Sequence, residues 1–175
     1  MKTIILLRHA KSSWKFPELK DSDRPLNKRG LKDAPLMGKV LKSLQITPDL
    51  IITSPAVRAM TTANMIAQEF DFKENQILVK PSLYLESKSE ILKEINKIDD
   101  LYNTVFLVSH NPGLTDLAND LSGESIDNIP TAGAMAIQFD CNSWTEVEKS
   151  KSKKMFFEIP KAHRKKIEKT KKQIL

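Results

Sequence analysis

Five short runs of branched and aromatic side chains, separated by stretches with helical periodicity, leave this chain few folds to adopt. Residues 3–7 and 50–53 each read as a buried strand, and 77–79, 104–109 and 135–139 as further strands. Between them, Asn27 is placed to cap a helix carrying Leu31, Ala34, Met37, Val40, Leu41 and Leu44 at roughly helical spacing. A second helix, from about Ala56 to Glu69, shows Val57, Met60, Ala63, Ile66 and Ala67 on one face. Ser87 and Glu90 form a capping-box pattern ahead of Ile91, Leu92, Ile95 and Ile98, and Leu114 to Leu121 is a short further helix. Strands alternating with helices predict an α/β fold, a three-layer sandwich with a mostly parallel central sheet and helices on both faces. Lys154 to Ile159 is a candidate closing strand that Pro160 ends. Pro35, inside the first helical pattern, is expected to kink or divide that helix. Trp14 and Phe16 are the candidate anchors of the polar loop from Lys11 to Pro25.

The 175 residues suit one folded domain, expected over residues 1–160, with a basic tail over 161–175. From Lys151 onward ten lysines and arginines oppose two glutamates, so this stretch carries +8 of a chain whose net charge is +6, leaving −2 for the rest. One reading of the tail is a solvated end, His163 included; the other is an arm for acidic partners. No RNP-like, zinc or helix-turn-helix pattern accompanies it, so nucleic acid is not favoured as a partner. No apolar run approaches the ~18 residues of a membrane span, and the first apolar run is too short for a secretory signal. The single cysteine, Cys141, has no disulfide or metal-ligand companion in the sequence. A cytoplasmic location and no membrane partner are the expectations.

The chemistry sits at three strand ends. Arg8 and His9 follow the first strand; Arg58 falls in the first turn of the helix after the second; His110 follows Ser109 at the end of the fourth. Parallel strands would gather all four at the carboxyl edge of the sheet, where open α/β folds bind ligands. Two arginines and two histidines there suit an oxyanion. A phosphoryl group in transfer spreads charge over three oxygens, which Arg8, Arg58 and His110 could bind, and a neutral imidazole can attack phosphorus in line. His9 is the better nucleophile candidate and His110 the better donor. No carboxylate cluster suggests a metal, and no cofactor is expected.

Arg8-His9-Ala10, the run from Ser54 to Ala63, and Ser109-His110-Asn111-Pro112-Gly113 resemble the signature blocks of the histidine phosphatase superfamily. The runs from Asp23 to Gly30 and from Asp33 to Gly38 match as well, and the resemblance extends in order from about Thr3 to Pro160. It implies a phosphoglycerate mutase-like fold, with His9 as the transiently phosphorylated nucleophile and Arg8, Arg58 and His110 holding the phosphoryl group. Ala10 stands where the superfamily commonly has glycine, a change similar to that of its SixA-type phosphohistidine phosphatase branch. Many members carry an acidic proton donor after the third strand; here Glu86 is either that donor or an exposed residue before a helix cap, and it is not assigned. The resemblance thus implies a metal-independent phosphatase for protein phosphohistidine. The alternatives are a small-molecule phosphomonoesterase using Glu86 and a non-catalytic phosphate-binding or acidic-partner module. The corresponding partners are a phosphorylated protein or a small phosphorylated substrate.

Overall fold

A computed structural model describes residues 1–174. Six strands, β1 (Lys2–Arg8), β2 (Leu50–Thr53), β3 (Ile77–Val79), β4 (Thr104–Ser109), β5 (Ala134–Phe139) and β6 (Ser152–Glu158), form one sheet in the order β3-β2-β4-β1-β5-β6. The first four in that order are parallel; β5 runs antiparallel to β1, and β6 antiparallel to β5. The helices are α1 (Lys28–Ser43), α2 (Val57–Gln68), α3 (Lys88–Ile95), α4 (Gly113–Ser122) and α5 (Pro160–Ile174). None of the described helices is long and apolar enough to cross a membrane.

The two central strands are apolar on both faces because helices cover both. Ile4 and Leu6 of β1, with Val105 and Leu107 of β4, join the core under α3 and α4; Ile5, Leu7, Phe106 and Val108 join the core under α1 and α2. That split is the two-residue period of a strand read on a continuous hydrophobic run. The chain moves outward from β1 to β2 to β3 and then returns to insert β4 beside β1. With right-handed crossovers, the outward and returning helices must lie on opposite faces, which separates α1 and α2 from α3.

Four expectations change in detail. Pro35 lies within α1, which nevertheless runs unbroken from Lys28 to Ser43. Burial of Asp33, Ala34, Met37, Gly38, Val40 and Leu41 on both sides of the proline holds the two halves together against a cost of about 3 kcal/mol. The buried stripe of α2 is Ala59, Thr62, Ala63, Ile66 and Ala67, turned from the predicted face by Arg58, which is itself buried. Phe16 (45% exposed) does not anchor its loop, and Trp14 (73% exposed) engages it only through its ring face, where the Arg24 guanidinium stacks 3.5 Å from the ring centroid. Arg24 is the anchor: its guanidinium also donates to Ser12 Oγ and Asp21 Oδ1, beside a bridge from Ser12 to Leu26. The positively charged end is helical where a tail was expected, with His163 half-buried and hydrogen-bonded to Glu158 rather than solvent-exposed. Leu175, the last residue of that expected tail, lies outside the described residues.

Candidate active site

Strand register builds the site. Arg8 pairs with Ser109 across β1 and β4, so the residues that follow, His9 and His110, leave the sheet side by side with ring centroids 5.0 Å apart. Thr53 pairs with Val108, which brings Ser54 alongside, and His110 Nε2 lies 2.7 Å from Ser54 Oγ. Arg58 enters from the first turn of α2 and is 2% exposed. A cation there opposes the helix dipole, so the position is not one that helix stability selects. The structure therefore brings Arg8, His9, Arg58 and His110 to one edge, in a cavity of about 280 Å3.

The hydrogen bonds determine which imidazole nitrogens carry protons. His9 Nδ1 is 2.8 Å from the carbonyl of Ala10, which can only accept; Nδ1 therefore carries the hydrogen and Nε2 keeps its lone pair. Arg58 Nη2 lies 3.5 Å from His110 Nδ1 and can only donate, so His110 accepts there and donates from Nε2 to Ser54. Burial, helped by the charges of Arg58, Arg8 and Arg24, lowers the His9 pKa to about 4. Burial, then the charges of His9 and Arg58, lowers that of His110 to about 3. At neutral pH His9 is uncharged, with a free lone pair on Nε2.

Linkage gives this arrangement a measurable sign. Between pH 6.5 and about 4 for His9, and about 3 for His110, the unfolded chain binds protons that the folded chain does not. Stability is thus complete above pH 6.5 and falls as pH drops, by about 1.4 kcal/mol per unit for each ring at most. Urea midpoints should fall steadily from pH 6.5 to 4, and NMR should show no His9 protonation until near pH 4. A His9 midpoint near 6.5 would contradict the burial argument.

Asp21, which the sequence reading missed, organises the cations. Its Oδ2 accepts from Arg58 Nη2 at 2.9 Å and from the Tyr84 hydroxyl at 2.6 Å, its Oδ1 accepts from Arg24 Nε at 3.0 Å, and its carbonyl accepts from Arg58 Nη1 at 2.6 Å. Partial desolvation pushes this carboxyl up, but the hydrogen bonds from Tyr84 and Arg58 outweigh it and hold the pKa at about 2. Arg8 is oriented by Asn128 Oδ1 and the Ile129 carbonyl. Both guanidiniums remain under-satisfied, for Arg8 Nε and Arg58 Nε are buried without a partner. Nothing in the spacing of Asp21 or Tyr84 marked them; Arg24 lay inside a block that had already been singled out.

Glu86 does not line the cavity. Leu85 does, in a left-handed conformation with φ of 54° and 53% exposed. The segment is pinned because α4 starts with Gly113 against it, where a Cβ would lie 2.1 Å from the Glu86 carbonyl oxygen. A larger cavity of about 410 Å3, between β3 and the end of α3, is lined by residues including Leu50, Ile77, Lys80, Glu94 and Tyr102. Its buried carboxylate, Glu94, is already paired with Lys97, and no histidine or cysteine lines it. The smaller cavity holds Arg8, His9, Arg58 and His110.

Comparison with known proteins agrees with this architecture. The histidine phosphatase superfamily (branch 1) matches residues 4–83. An uncharacterized chloroplastic protein of Arabidopsis thaliana is 37% identical over 151 residues, covering 82% of this chain and 69% of its own. A solved SixA structure from Agrobacterium tumefaciens superposes with a TM-score of 0.77 at 25% identity, over 91% of this chain and 99% of that one. The protein histidine phosphatase SixA complexed with tungstate superposes with a TM-score of 0.76 at 20% identity, over 90% and 97%.

Proposed function

The chain belongs to the histidine phosphatase superfamily, with SixA-type architecture, and from that premise we propose that it hydrolyses protein phosphohistidine through a phosphoryl group carried on His9. Superfamily membership supports the reaction class, a phosphatase. The finer reading rests on one observation: the carboxylate among the cavity-lining residues is Asp21, and it is held ionised. An alcohol leaving a phosphate ester needs a proton in the transition state, and a general acid supplies roughly 10²–10⁴ in rate. An imidazole leaving phosphorus is a better leaving group and takes its proton from water, so it tolerates a site with no acid in place.

His9 Nε2 attacks phosphorus in line while the P–N bond to the substrate imidazole breaks, and the departing nitrogen is protonated by solvent. The His9 Nδ1–H bond to the Ala10 carbonyl keeps the ring aimed and stabilises the charge that the ring acquires. Arg8 and Arg58 bind the equatorial oxygens, and the incoming negative charge opposes the burial and the neighbouring cations that depress His110, favouring uptake of a solvent proton on Nδ1 so that His110 donates to the same oxygens. Water then attacks the phosphoryl group on His9, releasing phosphate and restoring the neutral ring. A structural relative has been solved as a complex with tungstate, an oxyanion, which is in keeping with this reading.

A substrate panel tests the reading. Phosphohistidine peptide should be cleaved at least about 10²-fold more efficiently than alkyl phosphate esters, the factor a missing acid implies. Glu86→Gln should leave both rates within about threefold of wild type. Efficient ester cleavage that collapses in Glu86→Gln would instead assign a small-molecule phosphomonoesterase.

A further inference from the structure

We propose that the surface running from the catalytic cavity across Thr131 to the first turns of α5 is a second anion subsite, which binds acidic side chains flanking the phosphohistidine of a protein substrate. It rests on the reading of the His9 cavity as the phosphohistidine site. A separate cavity of about 180 Å3 is lined by residues including Arg29, Asp33, Thr131, Lys161 and Arg164. Thr131 also lines the catalytic cavity, so one residue separates the two. Asp33, 2% exposed, accepts from Arg164 Nη1 and lies 3.9 Å from Arg29 Nε, while Arg29 Nη2 reaches Thr131 Oγ1 at 3.5 Å.

One buried carboxylate thus holds the Arg164 guanidinium by a hydrogen bond and keeps that of Arg29 within 3.9 Å, and with the Lys161 ammonium the cavity carries two positive charges beyond the one Asp33 offsets. The Arg164 guanidinium is held before any ligand arrives, which reduces the ordering cost of binding a carboxylate. Beyond the cavity, Lys165, Lys166 and Lys169 are exposed along α5, extending the same field outward. Charge complementarity makes the occupant acidic, and the shared wall puts it within a few residues of the phosphorylated histidine. Nucleic acid is the weaker fit, since α5 has no Phe, Tyr or Trp on which bases could stack.

The test uses the full chain and three substrates: phosphoimidazole, a phosphohistidine peptide flanked by glutamates, and the same peptide with glutamines. The glutamate peptide should show kcat/KM about tenfold above the glutamine peptide at low salt, the size two exposed ion pairs allow. The advantage should vanish near 0.5 M salt, where charges are screened within a few ångströms. The double variant Lys161→Glu/Lys165→Glu should abolish it while leaving phosphoimidazole turnover unchanged. Both lysines are exposed, and a glutamate in the first turn of α5 suits the helix dipole, so the variant should fold. Equal rates for the two peptides in wild type, or a preference that survives the double variant, would overturn the subsite. Inhibition of phosphoimidazole turnover by oligouridylate, but not by unphosphorylated glutamate peptide, would overturn it in favour of nucleic acid. If no P–N substrate is cleaved, the catalytic reading fails, while the affinities of the unphosphorylated peptides still decide the subsite.

Discussion

His9→Ala should abolish turnover, with kcat down about 10⁵-fold or more, and no acid-labile phosphate should be trapped on the protein after mixing with labelled phosphohistidine peptide. Loss of a covalent nucleophile removes a whole reaction path, so an effect of this size is expected where one group carries the intermediate. The fold should survive. The His9 side chain bonds only to the Ala10 carbonyl next to it, while Ala10 N–H is held independently by Thr62 Oγ1 at 2.9 Å. Alanine also removes a ring that must stay uncharged, so the decline in urea midpoint between pH 6.5 and 4 should become shallower than in wild type. Retention of labelled phosphate by the alanine variant would move the nucleophile elsewhere.

Arg58→Ala should lower kcat by about 10²–10³, the usual loss for one fixed donor to a developing oxyanion. Its guanidinium does three things at once: it faces the His110 ring, holds the Asp21 carboxylate, and leaves Nε without an internal partner. Arg58→Lys should not restore activity, because one ammonium cannot reproduce a planar fork held at two points by Asp21. The Asp21 loop should stay in place, since Arg24 and Tyr84 still bind that carboxylate. Inhibition by tungstate should weaken in parallel with kcat. A variant within tenfold of wild type would mean that Arg58 orders the loop and does not bind the phosphoryl group.

Strand positions and the four residues that meet at the sheet edge were legible because each depends on local sequence. A fully buried strand must be a continuous apolar run, and a residue that follows such a run must emerge at its carboxyl end. Helix faces were read less well. Leu31, predicted on the buried stripe of α1, is exposed, while Asp33 is buried. The reason lies 131 residues away, where Arg164 supplies the partner that makes burial of a carboxylate tolerable. Asp21 was invisible for a similar reason: its partners, Arg24, Arg58 and Tyr84, come from three different segments.

By itself, the sequence determined the layer architecture, the arginines and histidines placed at the strand ends, and the concentration of positive charge at the end of the chain. Those properties follow from periodicity and composition, which are local. Tertiary structure alone decided the strand order, the pairing of Arg8 with Ser109 that sets His9 beside His110, and the burial that keeps both rings uncharged. It also turned a basic end into a helix that meets Asp33 at the rim of a second cavity. Register, proton location and charge pairing depend on atoms that are distant in the chain and adjacent only after folding, so no local pattern encodes them.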